Sequence, residues 1–287
     1  MLLKPTTKEQ EFNSVYQGIQ MNKETNIFYA RNLNELFYQM KTIANLKIVG
    51  SCTAIKEMPE KMISTTLIHE FNHIEKHERY IEFGPSTTIS EILALGERHL
   101  PKILIEAMKS IANPFVRNIA TIGGNILDSE NKNTLYAVLL ALDSTLEFKS
   151  PNEIKYIKLQ NFTEIPEKFV LTNIRVPLND WDLEIFRRVG PAHKITDTSA
   201  SFAFLTDSEK SIITNLKIAY SGKITLRCLS LENKMLGIKL PLKANDIEAY
   251  VEEAELEFRK AAGKTEYNPV LCQQFLNLMR YSFEQLT

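Results

Sequence analysis

The chain has 287 residues, of which 44% are hydrophobic and 24% charged, with 34 basic side chains against 35 acidic ones. That length can bury a substantial core and form two or more domains, and the balanced charge excludes a disordered chain and a dedicated nucleic-acid surface. The three cysteines, Cys52, Cys228 and Cys272, stand too far apart for a disulfide framework, a four-cysteine zinc knot or a chain-borne iron–sulfur cluster.

Residues 1–25 are polar with little periodicity and read as an N-terminal extension. MLLKPTTKEQEF turns polar too early for a secretory leader, and no run reaches the ~18–20 apolar residues of a membrane helix. A cytoplasmic location without membrane insertion is the expectation. Order begins near NIFYA. In NLNELFYQM the residues Leu33, Leu36, Phe37 and Met40 recur at helical spacing, with Asn32 as N-cap and Glu35 at the capping-box position. LKIVG follows as a buried strand, and the chain turns at Gly50-Ser51. After the apolar run STTLI and the strand YIEFG, Thr88 and Glu91 mark the start of a second capped helix, ISEILAL.

PKILIEAMKSIAN reads as a helix, with Pro101 in its first position and Pro114 ending it. A Gly-Gly turn comes next, then the apolar helix TLYAVLLAL and the alternating strands STLEFKS, YIKLQNF, KFVLTNIRV and WDLEIFRRV. Beyond Val176-Pro177 lie the strands SASFAF, NLKIAYSG and KITLRCL and the helices DIEAYVEEAELEFRKAA and PVLCQQFLNLMRYSFEQL. The sum is an α+β chain with a first unit over residues 26–176 and a second over 177–287.

VRNIATIGGNI places two of the ten glycines side by side, with Asn125 after them. Glycine admits positive φ and close approach of a ligand to the main chain, and consecutive amides can form a nest for phosphate oxygens, helped by Thr121 and Asn125. A plain structural turn is the competing reading. Neither G-x-G-x-x-G nor G-x-x-x-x-G-K-[ST] occurs.

NPFVRNIATIGGNI, with the downstream LLALDSTLEF, closely resembles the second flavin-contacting segment of the FAD-binding medium subunits and domains of molybdenum hydroxylases, the xanthine dehydrogenase and carbon monoxide dehydrogenase flavoprotein family. NIFYARNLNEL, YIEFGPSTTISEIL and FRRVG are similar to other landmarks of that family, in order. The resemblance implies a two-lobed FAD-binding domain of the PCMH type, with lobes of about 26–80 and 81–176, followed by the family's C-terminal α+β domain. It implies FAD as cofactor, held by Ile48, Val49, Gly50, Ser51, Cys52, Thr53 and Ala54 in a first loop and by Thr121, Ile122, Gly123, Gly124 and Asn125 in a second. It also implies separate molybdopterin and [2Fe-2S] subunits, NAD⁺ or another acceptor, and no acid–base residue on this chain.

The sequence departs from the family at three places. The family's first loop, Ala-Gly-Gly-Thr-Asp-Leu, is here Val49 to Ala54, retaining only Gly50, so Ser51 must accept the backbone of the second glycine and Thr53 brings no charge. The family's Ser-Pro-x-Ser-Asp is replaced by Glu130, Asn131, Lys132, Asn133 and Thr134, and an arginine after RVG by Ala192. These changes motivate an alternative, a non-catalytic assembly subunit that kept the fold.

His69-Glu70-Phe71-Asn72-His73 matches H-E-x-x-H, and His77 continues the spacing. On a helix these residues would suit zinc. Because the stretch is short and lies between strand-like runs, solvent-facing histidines are the simpler account, and no metal ligands are expected. Trp181 and Phe186 are expected in an interdomain core, Arg117 in a structural role, and the run Glu252, Glu253, Glu255, Glu257 on a solvated helix face.

Overall fold

The computed structural model describes residues 25–53, 55, 57–127, 134–191 and 195–287. The polar extension up to 24, Ala54, Glu130 to Asn133 and Ala192 lie outside the described residues.

Strands β1 (Asn26–Tyr29), β2 (Lys47–Val49) and β3 (Lys61–Ser64) form a parallel sheet in the order β1-β3-β2. Helix α1 (Leu33–Thr42) links β1 to β2, as the apolar spacing implied. Asn32 caps it, its side-chain oxygen accepting the Glu35 N–H at 2.9 Å. The return half of the capping box shifts by one residue, because Glu35 accepts from the Arg31 N–H at 2.8 Å. Ala30, Leu36, Ile63, Ile68, Phe71 and Val170 fill this lobe's core. LKIVG is not the buried strand that its apolar letters suggest: β2 is an edge strand with Lys47 and Ile48 exposed and only Val49 inside. The centre belongs to β3, KMIS, just before the STTLI run.

A second, antiparallel sheet has the order β4-β5-β8-β6-β7, built from Ile74–Lys76, Tyr80–Phe83, Val170–Pro177, Thr145–Lys149 and Ile154–Lys158 respectively. Ile81, Phe83, Leu146, Phe148, Ile174 and Val176 turn one face onto α2 (Ile89–Leu93), α3 (Lys102–Lys109), α4 (Pro114–Arg117), α5 (Ile122–Leu127) and α6 (Tyr136–Ala141). The Thr88/Glu91 capping box is complete. Every residue of α6 is buried, as its apolar sequence requires. Pro114 does not end α3. That helix stops at Lys109 with Pro101 at its cap, and Pro114 instead opens α4 behind the cap Asn113. YIKLQNF is a strand only as far as Lys158.

The third sheet, also antiparallel, runs β12-β11-β10-β9, from Leu226–Arg227, Ile212–Gly222, Ala200–Glu209 and Leu183–Val189. It packs on α7 (Leu229–Met235), α8 (Ala244–Ala262) and α9 (Pro269–Glu284) through an aromatic core that includes Phe202, Phe204, Tyr220, Phe258, Phe275 and Phe283. KITLRCL, expected as a strand, pairs only over Leu226–Arg227 before α7 begins. Glu257 explains part of that switch, since its carboxylate takes the Leu231 N–H at 2.7 Å in the first turn of α7. The acidic run is therefore partnered rather than simply solvated: Glu253 pairs with Lys234 and Glu255 with Arg259.

The second and third sheets share a core. Phe186, Ala203, Leu205 and Ala219 are buried with α3 and α6, and Trp181 packs against the same cluster. Arg227 ties the units further, donating to Leu140 O at 2.8 Å and to Asp143 at 2.7 Å.

Candidate functional site

Gly123 and Gly124 sit in the first turn of α5 rather than in an open turn. Thr121 acts as its cap, with Oγ1 accepting the Gly124 N–H and the carbonyl accepting the Asn125 N–H, both at 3.1 Å. The Ile122 N–H donates to Thr87 O and the Gly123 N–H to Pro85 O, both at 3.0 Å. Four consecutive amides are thus satisfied inside the protein, so the nest expected of a Gly-Gly turn is not formed here. The cause is the FGPSTT loop, which runs alongside and bridges Thr88 to Thr121. Gly123 is required by that contact, because a Cβ there would lie 2.6 Å from Pro85 O. Gly124 is exposed, and a Cβ on it would meet only Thr121 Oγ1, at 3.2 Å. Ile122 points into the core. Asn125 turns its side-chain oxygen inward to the Leu135 N–H at 3.1 Å, fixing the start of α6.

The first loop comes to the same place. Val49 is buried, and its carbonyl accepts from the Thr65 N–H at 3.0 Å and from Thr65 Oγ1 at 3.3 Å. Thr65 Oγ1 in turn lies 3.3 Å from Ser86 Oγ in the FGPSTT loop. A Cβ built on Gly50 would be 3.6 Å from Thr121 Oγ1, so two segments distant in sequence face each other here. The left-handed backbone of this loop falls on Cys52, with φ 56°, and Ser51 is spared the strain expected of it. The Cys52 thiol donates to Gly50 O at 3.7 Å, and burial pushes its pKa up, so it is no activated nucleophile. Among the described residues, none accepts from the Ser51 or Cys52 N–H. Ile48 and Thr53 are exposed on either side of this stretch, and Ala54 lies outside the described residues.

The facing walls therefore offer neutral groups: free amides at Ser51 and Cys52 among the described residues, the hydroxyls of Ser86 and Thr121, and the open side of Gly124. Such donors suit phosphate oxygens better than a metal ion or a proton-transfer reaction. Sequence reasoning passed over a second feature, a polar pocket lined by Thr134, Arg188, Ser199 and Ser201 at the end of β9. The RRVG stretch was its only signal. Burial there pushes the Arg188 guanidinium pKa down, and Nη1 donates to Pro191 O at 2.8 Å.

Other sequence candidates resolve on geometry. HEFNH forms a single 3-10 turn, His69–Phe71, with Phe71 buried. Glu70 accepts the Leu33 N–H at 3.3 Å, and His73 Nδ1 lies 3.0 Å from Glu70 O. The pattern lacks the helix that would put His69 and His73 on one face. Arg117 donates from Nη1 to Lys109 O at 3.2 Å and Ile111 O at 2.8 Å, closing the end of α3.

Residues 22–179 match the family described as the FAD binding domain in molybdopterin dehydrogenase. The indole-3-acetaldehyde oxidase of Zea mays is 29% identical over 187 residues, 59% of this chain, and the match spans 14% of that protein's length. The glyceraldehyde dehydrogenase medium chain of Sulfolobus acidocaldarius is 24% identical over 193 residues, 63% of this chain and 68% of that one. In the CO dehydrogenase of Oligotropha carboxidovorans, a chain with 17% identity shares the fold at a TM-score of 0.76 over 91% of this chain and 97% of its own. The α+β architecture expected from the sequence is shared with that CO dehydrogenase chain, and no helix among the described residues is long and apolar enough to cross a membrane. The chain belongs to the family of FAD-binding domains of molybdopterin dehydrogenases, whose cofactor is FAD.

Proposed function

We propose that this chain binds one FAD between the Gly50–Thr53 loop and the exposed side of α5, and that it is the flavin-carrying electron-transfer subunit of a multi-component molybdenum hydroxylase. The observation that carries this is the meeting of Gly50 with Thr121, two segments of a family-matched chain joined at a wall of phosphate-compatible donors. When bound, the flavin supplies the redox chemistry, accepting electrons from an iron–sulfur centre and releasing them to an acceptor such as NAD⁺.

The chain's own residues bind and orient. The free amides of Ser51 and Cys52 donate to pyrophosphate oxygens, Thr53 and Thr121 add hydroxyls, and Gly124 leaves room for close approach of the main chain. Ile48, Val49 and Ile122 set the backbone path of the two segments, and Gly123 and Asn125 lock α5 to its neighbours. Cys52, Cys228 and Cys272 are single free thiols, so the [2Fe-2S] centres come from outside these residues, as does the molybdopterin site. The substrate class is set at that molybdenum site.

Purification of the complex from its native cell tests the assignment. Co-purifying chains carrying iron and molybdenum, with one FAD per copy of this chain, are expected. A folded chain that travels with those partners yet takes up no FAD would instead make it an assembly subunit.

A further inference from the structure

Away from the flavin cleft, the hairpin of β4 and β5 gathers three side chains that the proposed function does not use. Glu75 and His77 are two residues apart and share one face of the hairpin, and Glu82 stands directly across from Glu75. One ligand atom from each of the three lies within 4.8 Å of the other two. This face is turned away from the core, since the alternate residues Ile81 and Phe83 are fully buried on the other side.

Three features set the cluster apart from an ordinary surface ion pair. Carboxylates directly opposed on paired strands repel each other, and Glu82 is only 8% exposed, so water relieves little of the repulsion. Arg175 offsets part of it, with Nε and Nη2 each 2.8 Å from Glu82 Oε1, but this engages one oxygen only. The other, Oε2, faces His77 Nε2 at 3.4 Å. That separation is within ion-pair range but out of line for a hydrogen bond, and Nε2 is a buried nitrogen with no hydrogen-bond partner. It is also the edge of a tetrahedron: ligand atoms ~2.0–2.1 Å from a zinc ion stand ~3.3–3.4 Å apart.

We propose that Glu75, His77 and Glu82 form a binding site for a divalent transition-metal ion of the zinc class, with water completing the coordination. One imidazole and two carboxylates are a ligand set that zinc accepts, and the cation removes the repulsion between the opposed glutamates. The surroundings hold these ligands in place. Arg175 fixes the Glu82 carboxylate from behind, and the Tyr80 ring stacks on His77 at 4.4 Å between centroids while lying 4.4 Å from the Arg175 guanidinium. The hairpin continues through Gly84 into the FGPSTT loop, whose Pro85 and Thr87 carbonyls hold the first amides of α5. A bound ion thus stiffens the strand that carries one wall of the flavin cleft, a structural role that involves no redox step.

The test uses the full-length protein, treated with chelator and then titrated with Zn²⁺, with Co²⁺ as a coloured substitute and metal content measured after removal of excess ion. About one zinc per chain is expected, with a thermal midpoint that rises with free zinc. His77→Gln and Glu75→Gln should each weaken zinc binding by ~100-fold or more while circular dichroism stays native. His69→Gln should leave it unchanged. Metal-free Glu75→Gln should melt above metal-free wild type, because the repulsion is gone. FAD titration of the same samples reads the flavin site separately. Absence of zinc uptake, uptake unaffected by His77→Gln and Glu75→Gln, uptake lost in His69→Gln, or a Glu75→Gln protein that melts below metal-free wild type would overturn the proposal.

Discussion

The Gly123 N–H donates to Pro85 O at 3.0 Å, and a Cβ on Gly123 would sit 2.6 Å from that same oxygen. Backbone meets backbone here, so neither partner can swing aside. Gly123→Ala is expected to lower stability by ~1–3 kcal/mol, the usual cost of forcing an extra methyl into a packed contact. Gly124→Ala should fold at least as well, with up to ~1 kcal/mol of helix propensity gained, yet weaken FAD binding by ~10-fold as its methyl enters the cleft. Thermal melts and FAD titrations of the pair separate packing from binding, and equal behaviour of the two variants would contradict this division.

Asn125 is committed to the Leu135 N–H, so its role is in the fold. Asn125→Ala should lower stability by ~1 kcal/mol, the value of one internal hydrogen bond, in denaturant titration. A stability unchanged from wild type would show the tether to be idle.

Arg117 next to the glycine segment looks like a phosphate partner, but its guanidinium is spent on Lys109 O and Ile111 O. Arg117→Ala should lower stability by ~1–2 kcal/mol and leave FAD affinity as it was. A fall in affinity without a fall in stability would place Arg117 in the cofactor site.

Arg227 is almost fully buried between Asp143 and Glu232. Arg227→Met leaves the buried Glu232 without its cation, while Asp143 keeps Lys217 at 2.9 Å, and should cost ~3–5 kcal/mol, measured by denaturant unfolding. The pH dependence has opposing parts. Burial pushes Asp143 up, but hydrogen bonds and charge from Arg227 and Lys217 outweigh it and hold the carboxyl below its ordinary value. Its contribution is therefore complete above about pH 4 and fades as pH falls through the lowered folded value. For Glu232 burial wins over Arg227 and the Ile218 amide, and the pKa is raised, so its contribution is complete below the ordinary glutamate range and declines as pH rises through the raised value. Asp143→Asn should flatten the acid limb of the stability profile, and an acid limb identical to wild type would contradict the assignment.

Much of the fold was legible where the local signal and the tertiary demand agree. The caps at Asn32 and Thr88, the uniformly apolar α6 and the amphipathic α8 and α9 all follow from residue spacing. The misread elements are those in which a distant partner decides. IGGNIL has poor helix propensity, yet Thr121, Thr87 and Pro85 supply the acceptors that start a helix. KITLRCL alternates enough to suggest a strand until Glu257, a helix away, takes an amide in the first turn of α7. The edge position of β2 is a property of strand order, which no single segment encodes. At the candidate site the two segments were identifiable by their resemblance to a family. The engagement of the α5 amides, and the shift of the left-handed residue to Cys52, depend on the neighbouring loop and became visible only in three dimensions.

The most direct test of the flavin-site account is an equilibrium titration of the apoprotein with FAD, followed by competition with ADP and with riboflavin. If the Gly50–Thr53 loop and the side of α5 hold the pyrophosphate, binding saturates at about one FAD per chain. ADP, which carries that group, then displaces FAD, and riboflavin, which lacks it, does so at least ~100-fold less well. A natively folded protein that takes up no FAD, or one from which riboflavin displaces FAD as readily as ADP does, would contradict the account.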